Sequence, residues 1–222
     1  FGVVTQVHLR LQALPSARLT LLARGERDLL TRQARALMEA QLAAAALELF
    51  SPALAADADW ILALELTGTE AAVEAEATRA IAHSEVSWDR LPPERAGAFW
   101  NAVAGAPLTA PTTLRLGVFP DALDELIDLL EERLGPGLLA GGAGRGLLRW
   151  SGAATLEALR TVRHIVAERE IPLTLERAPW LLRHALGHFG AYREGVGVLV
   201  SKLRSTFDPD PTFAVALEGE HD

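Results

Sequence analysis

Cysteine is absent from the 222 residues. Its absence excludes disulfides, cysteine-based zinc sites, iron–sulfur ligation and thiol catalysis by this chain, and leaves redox chemistry silent about the compartment. Lysine is almost as scarce. Lys202 is the only one, so phosphate loops of the Walker type and Schiff-base chemistry lack their essential residue. Positive charge is outweighed overall: 21 Lys and Arg against 29 Asp and Glu give a formal charge of −8 and a pI near 5.3. No basic footprint for nucleic acid or anionic lipid follows from such a balance. Apolar runs such as Leu42 to Leu47 and Trp60 to Leu66 fall far short of the ~20 residues of a spanning helix. What is present is globular: half the residues are hydrophobic, 23% are charged and mean hydropathy is +0.17. At 23.8 kDa the chain can form one large domain or two small ones around a sizeable core.

Hydrophobic periodicity divides the chain into a repeated order of elements. Gly2 to Leu11 alternates and is rich in β-branched residues, so it reads as a strand, with the chain beginning at Phe1 inside a fold. Leu19 to Ala23 is a second strand. From Glu26 to Leu42 the apolar Leu29, Leu30, Ala34, Leu37, Met38 and Leu42 recur mostly at spacings of three and four, the pattern of an amphipathic helix. Ala46 to Phe50 and Trp60 to Leu66 read as strands, and Thr69 caps a helix through Val73, Ala77 and Ile81. The order then recurs: a strand at Thr112 to Phe119, a helix opening at Asp121, strands at Leu138 to Ala140 and Gly146 to Trp150, a helix at Thr155 to Glu168, and a strand at Ile171 to Arg177. Two such runs imply a duplicated split βαβ unit of ferredoxin-like type. The expected class is α+β, an antiparallel sheet with helices on one face. Glu94 to Val103 is read as a short crossover helix whose Phe99 and Trp100 need burial, and Val198 to Leu203 as a last helix.

Several residue groups invite functional readings. Gly141-Gly142-Ala143-Gly144-Arg145-Gly146 is glycine-rich, but a dinucleotide fingerprint needs a helix after its glycines, and Leu147 to Trp150 reads as a strand; a hairpin turn is expected. His184 and His188 stand four apart without a carboxylate at ligand spacing, and Gly187 and Gly190 weaken the helix such a site would need, so no metal site is expected. The acids Asp121, Asp124, Glu125, Glu131 and Glu132 read as a solvated helix face. More informative are two arginines in strands. Alternation sends Leu114, Leu116 and Val118 to one face and Arg115 to the other, and likewise Leu148 and Trp150 inward and Arg149 outward. Two guanidinium groups on an open sheet face could hold a carboxylate bidentately; the competing reading is a solvated face with salt bridges.

Short motifs distributed along nearly the whole chain carry a resemblance. Gly2-Val3-Val4-Thr5, followed by Leu9-Arg10-Leu11 and Pro15, resembles the segment that closes the FAD-binding domain in FAD-linked oxidases of the vanillyl-alcohol-oxidase type. Leu114 to Val118, Leu148-Arg149-Trp150 and Leu173 to Arg177 are similar to strands of the FAD-linked subunit of bacterial glycolate oxidases, and Lys202 to Pro209 to that family's ending in Phe-Asp-Pro. One departure stands out. The family commonly continues with a hydrophobic residue and Asn-Pro-Gly, whereas here Phe213 is followed by Ala214, Val215 and Ala216.

The resemblance implies a cap, or substrate, region of an FAD-dependent oxidoreductase acting on a small, glycolate-like 2-hydroxy acid, with hydride passing from substrate to flavin. It divides the chain into residues 1–14, the last strand of an FAD-binding domain; 15–178, the ferredoxin-like cap; and 179–222, a segment returning towards the flavin domain. FAD would be bound mainly by an N-terminal domain outside this sequence, with Gly2, Val3, Val4 and Phe213 as the positions carried over. This portion by itself would be inactive. Arg115 and Arg149 are the candidates for the substrate face, Arg177 is expected to cap or pack at its strand end, and no residue can be named as general base. The implied partners are a companion flavoprotein and an iron–sulfur subunit, the latter necessarily another polypeptide. The implied setting is cytoplasmic, with membrane association only through partner subunits and no membrane insertion. The alternative is a non-catalytic ferredoxin-like module for ligand binding or subunit interaction, since fold does not imply function.

Overall fold

The computed structural model describes residues 4–9, 13–192, 195–210 and 212. Eight strands form one antiparallel sheet: β1 (Ala17–Gly25), β2 (Ala44–Phe50), β3 (Trp60–Gly68), β4 (Asp89–Leu91), β5 (Thr112–Gly117), β6 (Leu138–Gly142), β7 (Leu147–Gly152) and β8 (Leu173–Arg177). Their spatial order is β4-β1-β3-β2-β6-β7-β5-β8. The first four strands and the last four each have the order of a split βαβ pair, so the duplication expected from the sequence is present. The two units meet edge to edge through β2 and β6.

Helices α1 (Arg27–Glu39), α3 (Glu70–Ala82), α5 (Leu123–Leu134) and α6 (Leu156–Glu168) carry the long amphipathic patterns. They pack on the sheet face that presents Leu21, Leu49, Leu62, Leu64, Leu114, Leu116, Leu139, Leu148 and Trp150, all within one core. Thr69 and Thr155 cap α3 and α6, each side chain accepting the N–H three residues on, from Ala72 and Ala158. α1 begins at Arg27, one residue after Glu26, and stops at Glu39, short of Leu42. α5 begins at Leu123, because Pro120–Ala122 forms a tight 3-10 turn and Asp121 lies in it.

Some elements were not legible. β4 has only three residues, too few for an alternation pattern. The segment after Pro179, read as irregular, forms α7 (Trp180–Leu186), and the last helix, α8 (Val196–Phe207), is longer than Val198 to Leu203. Short α2 (Pro52–Ala55) and the crossover helix α4 (Pro93–Gly105) lie on the sheet face opposite the four long helices, where Leu22, Phe50, Ile61, Ala63 and Val103 form a second, smaller core. Phe99 and Trp100 pack edge-on against Phe50, at centroid distances of 5.8 and 6.0 Å, which gives the aromatic residues of α4 their burial.

The strand expected over Gly2 to Leu11 does not form in the part described: residues 4–9 carry no strand, and Val4, Val7 and Leu9 are exposed. Alternation alone cannot make a strand without a neighbouring ladder, and no strand among the described residues pairs with these. Gly2, Val3 and Phe213 lie outside the described residues.

The seam between the two units depends on glycine. Glu48, Leu49 and Phe50 of β2 pair with Gly142, Gly141 and Ala140 of β6. A Cβ on Gly141 would come within 3.2 Å of the Leu123 side chain, so its absence lets α5 approach the seam. Ser51 continues the ladder: its N–H donates to the Leu139 carbonyl (3.0 Å) and its hydroxyl accepts from the Leu139 N–H (2.9 Å). On the helix side Arg27 of α1 reaches Asp124 and Asp128 of α5, at 3.4 and 2.7 Å, and ties the units together a second time.

Candidate functional site

The second core ends where the second unit begins. Beyond the seam, the sheet face opposite the long helices carries Thr113, Arg115, Arg149, Ser151 and Glu176, and no helix among the described residues covers its arginines, whose side chains are each 41% exposed. Strand parity placed Arg115 and Arg149 on this face, and β5 and β7 set them directly opposite each other in register. Two cations facing each other across a ladder repel unless a counter-charge joins them. Glu176 of β8 supplies it. Its carboxylate accepts from Arg149 Nε at 2.7 Å and Nη2 at 3.2 Å, and lies 3.3 Å from Arg115 Nε. The hydrogen bonds from Arg149, aided by the charges of Arg149 and Arg115, hold the Glu176 carboxyl below the usual carboxylate range. One carboxylate between two guanidinium groups leaves a unit of positive charge uncompensated within the triad.

At the edge of this face, against the seam, lies a cavity of about 560 Å³. Phe50, Trp100, Val103 and Leu108 form an apolar wall, and Glu48, Arg145, Arg149, Glu176 and Arg177 a polar one. Arg149 thus reaches the cavity, whereas Arg115 stands on the same face outside its lining. Trp100 is fixed over the site by its indole N–H, which donates to Thr20 Oγ1 at 3.1 Å. Arg177 shares sequence parity with Leu173 and Leu175, yet it lines the cavity, because the β5–β8 register shifts between Thr113 and Leu114 and a bulge turns the strand end. There its guanidinium donates to the Leu108 carbonyl, the strand-end packing expected of it.

Glu48 was missed. The pattern Leu47-Glu48-Leu49 within a strand held the signal, a polar residue alternating with core leucines and therefore on the face of Phe50. The residue is 5% exposed and its carboxylate pairs with Arg145 of the β6–β7 turn. Burial pushes the Glu48 carboxyl up from its ordinary value, against the opposing pull of Arg145 and Arg149. Three arginines against two carboxylates make the cavity lining net cationic in a chain of formal charge −8. Such a lining suits a small anion with an apolar portion.

The glycine-rich stretch is the hairpin between β6 and β7, with Gly146 at φ +63° and its carbonyl accepting from the Val118 N–H. His184 packs at a tilt against Trp180 and His188 edge-on against Phe189, at centroid distances of 5.6 and 4.7 Å. The acids on α5 serve the helix layer: besides the Arg27 contacts, Glu125 pairs with Arg169 at 2.7 Å.

No protein-family profile and no curated protein matches the sequence. The fold does have relatives. Alkyldihydroxyacetonephosphate synthase, in two crystal forms, superposes on 89% of this chain with TM-scores of 0.54 and 0.55, at 9% and 10% sequence identity. This chain shares the fold of the matching part of those synthase structures. It spans 44% of the length of those synthase chains. Among the described residues, no helix is long and apolar enough to cross a membrane.

Proposed function

We propose that this chain is the cap region of an FAD-dependent oxidoreductase acting on a small 2-hydroxy acid, with the arginine-bearing half of the sheet and the seam cavity turned towards flavin and substrate. The observation that carries this reading is the net cationic cavity beside an apolar aromatic wall, where the cover of α4 ends and the arginine-bearing half of the sheet face lies open. A 2-hydroxy acid offers a carboxylate for the guanidinium groups and a short carbon chain for Phe50 and Trp100. Arg149, braced by Glu176, would orient the carboxylate, and Arg115 would strengthen the field behind it. The aromatic wall would exclude water from the reacting carbon.

The described residues do not fit the dinucleotide end of FAD, because the one glycine-rich turn joins two strands and no helix N-terminus follows it to receive a pyrophosphate. They fit the ring end, where an open polar face can lie against a planar group. FAD would thus be bound mainly by a domain outside this sequence, with Val4 and its neighbours and the segment after residue 178 returning towards it. When bound, the flavin supplies the hydride acceptor. The companion flavoprotein, an iron–sulfur subunit to carry the electrons away, and a cytoplasmic setting belong to the same proposal.

The test uses the full-length protein that contains this chain. A visible flavin spectrum that bleaches anaerobically on addition of glycolate is expected. Arg149→Met should weaken glycolate binding about tenfold to a hundredfold, the value of one charge-assisted hydrogen-bonded contact. A protein without flavin, even after reconstitution with FAD, refutes this reading in favour of a non-catalytic ligand-binding or subunit-interaction module.

A further inference from the structure

Glu48 and Arg145 form an unequal pair. The Glu48 side chain is 7% exposed and fixed in a central strand, while that of Arg145 is 67% exposed and arches from a turn. The turn is held: the Arg145 N–H donates to the Gly142 carbonyl at 3.0 Å, and a Cβ on Gly146 would come within 2.9 Å of the Val118 carbonyl. The Arg145 side chain is therefore the part that can swing. The Glu48 carboxylate sits over Gly142, its register partner, where a Cβ would lie 3.0 and 3.3 Å from the two carboxylate oxygens. It thus occupies the room that a side chain on β6 would take and closes the cavity at the seam.

We infer that the cavity is a proton-coupled carboxylate site in which Glu48 latches Arg145: ionised, Glu48 keeps the guanidinium for itself, and protonated, it releases the guanidinium to a bound carboxylate. One proton enters from solvent for each anion bound, and no covalent bond changes. This rests on the carboxylate specificity proposed above and not on the flavin.

The surrounding charges favour the same direction. β7 contributes Arg149, already bonded to Glu176 of β8, and Arg177 at the end of β8 is bonded to the Leu108 carbonyl. α4 adds only Trp100, Val103 and Ala104, which do not titrate. Of these cavity arginines, Arg145 is the one whose carboxylate partner is buried and pushed towards its neutral form. An anion beside Glu48 favours that neutral form further. By linkage, carboxylate affinity is greatest at low pH and falls by up to tenfold per pH unit as pH rises through the interval between the free and liganded Glu48 values. Glu176, held ionised by its arginines, and His188 beside it are the remaining groups near the site that can carry charge.

The experiment is calorimetric titration of the full-length protein with glycolate between about pH 5 and about pH 8, in buffers of differing ionisation enthalpy. Wild type should bind more weakly as pH rises and should take up a proton on binding. Glu48→Gln, a mimic of the neutral acid, should bind more tightly than wild type at the high end and lose the slope. Arg145→Met should bind weakly throughout, and His188→Asn should keep the slope. A pH-independent wild type, an absence of glycolate binding, or a folded Glu48→Gln that binds more weakly with the slope unchanged would overturn the latch. A missing flavin spectrum, by contrast, sinks the oxidoreductase reading while leaving the pH dependence measurable.

Discussion

Trp150 offers the most exacting test of how the site-bearing strand is held. It sits on β7 next to Arg149, is 0% exposed, and its indole N–H donates to the Gly135 carbonyl at 3.2 Å. Two glycines lie against its ring. A Cβ on Gly137 would come within 2.4 Å of Nε1, and one on Gly152 within 2.7 and 2.8 Å of Cζ2 and Cη2. Because the ring is rigid and enclosed, Gly152→Ala has no cheap relaxation and should cost about 1–3 kcal/mol, the range for overpacking a core. Trp150→Phe loses the indole bond, about 1 kcal/mol, and leaves a gap where the outer part of the ring stood, for a total of about 2–4 kcal/mol. That gap is where the alanine methyl would go. The double variant should therefore be less destabilised than the sum of the singles, with a coupling of at least about 1 kcal/mol. Urea unfolding of the four proteins closes the cycle. Additivity within about 0.5 kcal/mol would mean that the ring does not press on Gly152, and would refute the packing described for β7.

The helix layer and the acid range give further expectations. Arg27→Met should cost about 1–2 kcal/mol in urea unfolding, since its side chain is 18% exposed and faces several carboxylates, and the loss should shrink only modestly in salt. Glu176 has a lowered folded value, so its contribution is complete above the ordinary glutamate value and is lost as pH falls through the folded one. Below about pH 4.3, Glu176→Gln should accordingly show a shallower loss of stability than wild type in acid titration. Thr155→Ala removes the cap of α6 and should cost about 1 kcal/mol by the same unfolding assay.

Much of the architecture was written in local pattern. Leu30, Ala34 and Leu37 mark the buried side of α1, and Leu114, Leu116, Leu148 and Trp150 the core side of β5 and β7, because burial on one side imposes a period that survives without tertiary knowledge. The same parity placed Arg115 and Arg149 on the opposite face. It could not show that Glu176 would stand between them, because that depends on which strand lies beside β5 and in what register. Nor could it find the cavity. Glu48 and Arg145 are 97 residues apart and meet only because the edges of two units pair, and one edge strand carries little to say which other edge it will join. Residues 4–9 show the converse: a strand-like pattern with no ladder beside it.

The position of the cavity follows from a difference between the two units. In the first, the face away from the long helices is apolar at Leu22, Phe50, Ile61 and Ala63, so it must be covered, and α4 covers it. In the second, the equivalent face carries Thr113 bonded to Ser151, and Arg115 and Arg149 joined by Glu176, polar groups that partner one another and tolerate solvent. α4 ends at Gly105 and the chain turns through Ala106–Thr109 into β5, so the cover stops where the polar face starts. A ledge of aromatic and aliphatic side chains beside a floor of guanidinium groups is the necessary result. If that face were made apolar at Arg115 and Arg149, the second unit would need a cover that no element among the described residues supplies. The arginines thus keep that half of the sheet open as well as charging it, and the double variant Arg115→Leu, Arg149→Leu should show this as self-association in sedimentation, with a modest loss of stability to urea because Glu176 loses both partners. A double variant that stays monomeric, as the wild type must under the same conditions, would show that the open face does not need its charges to remain uncovered.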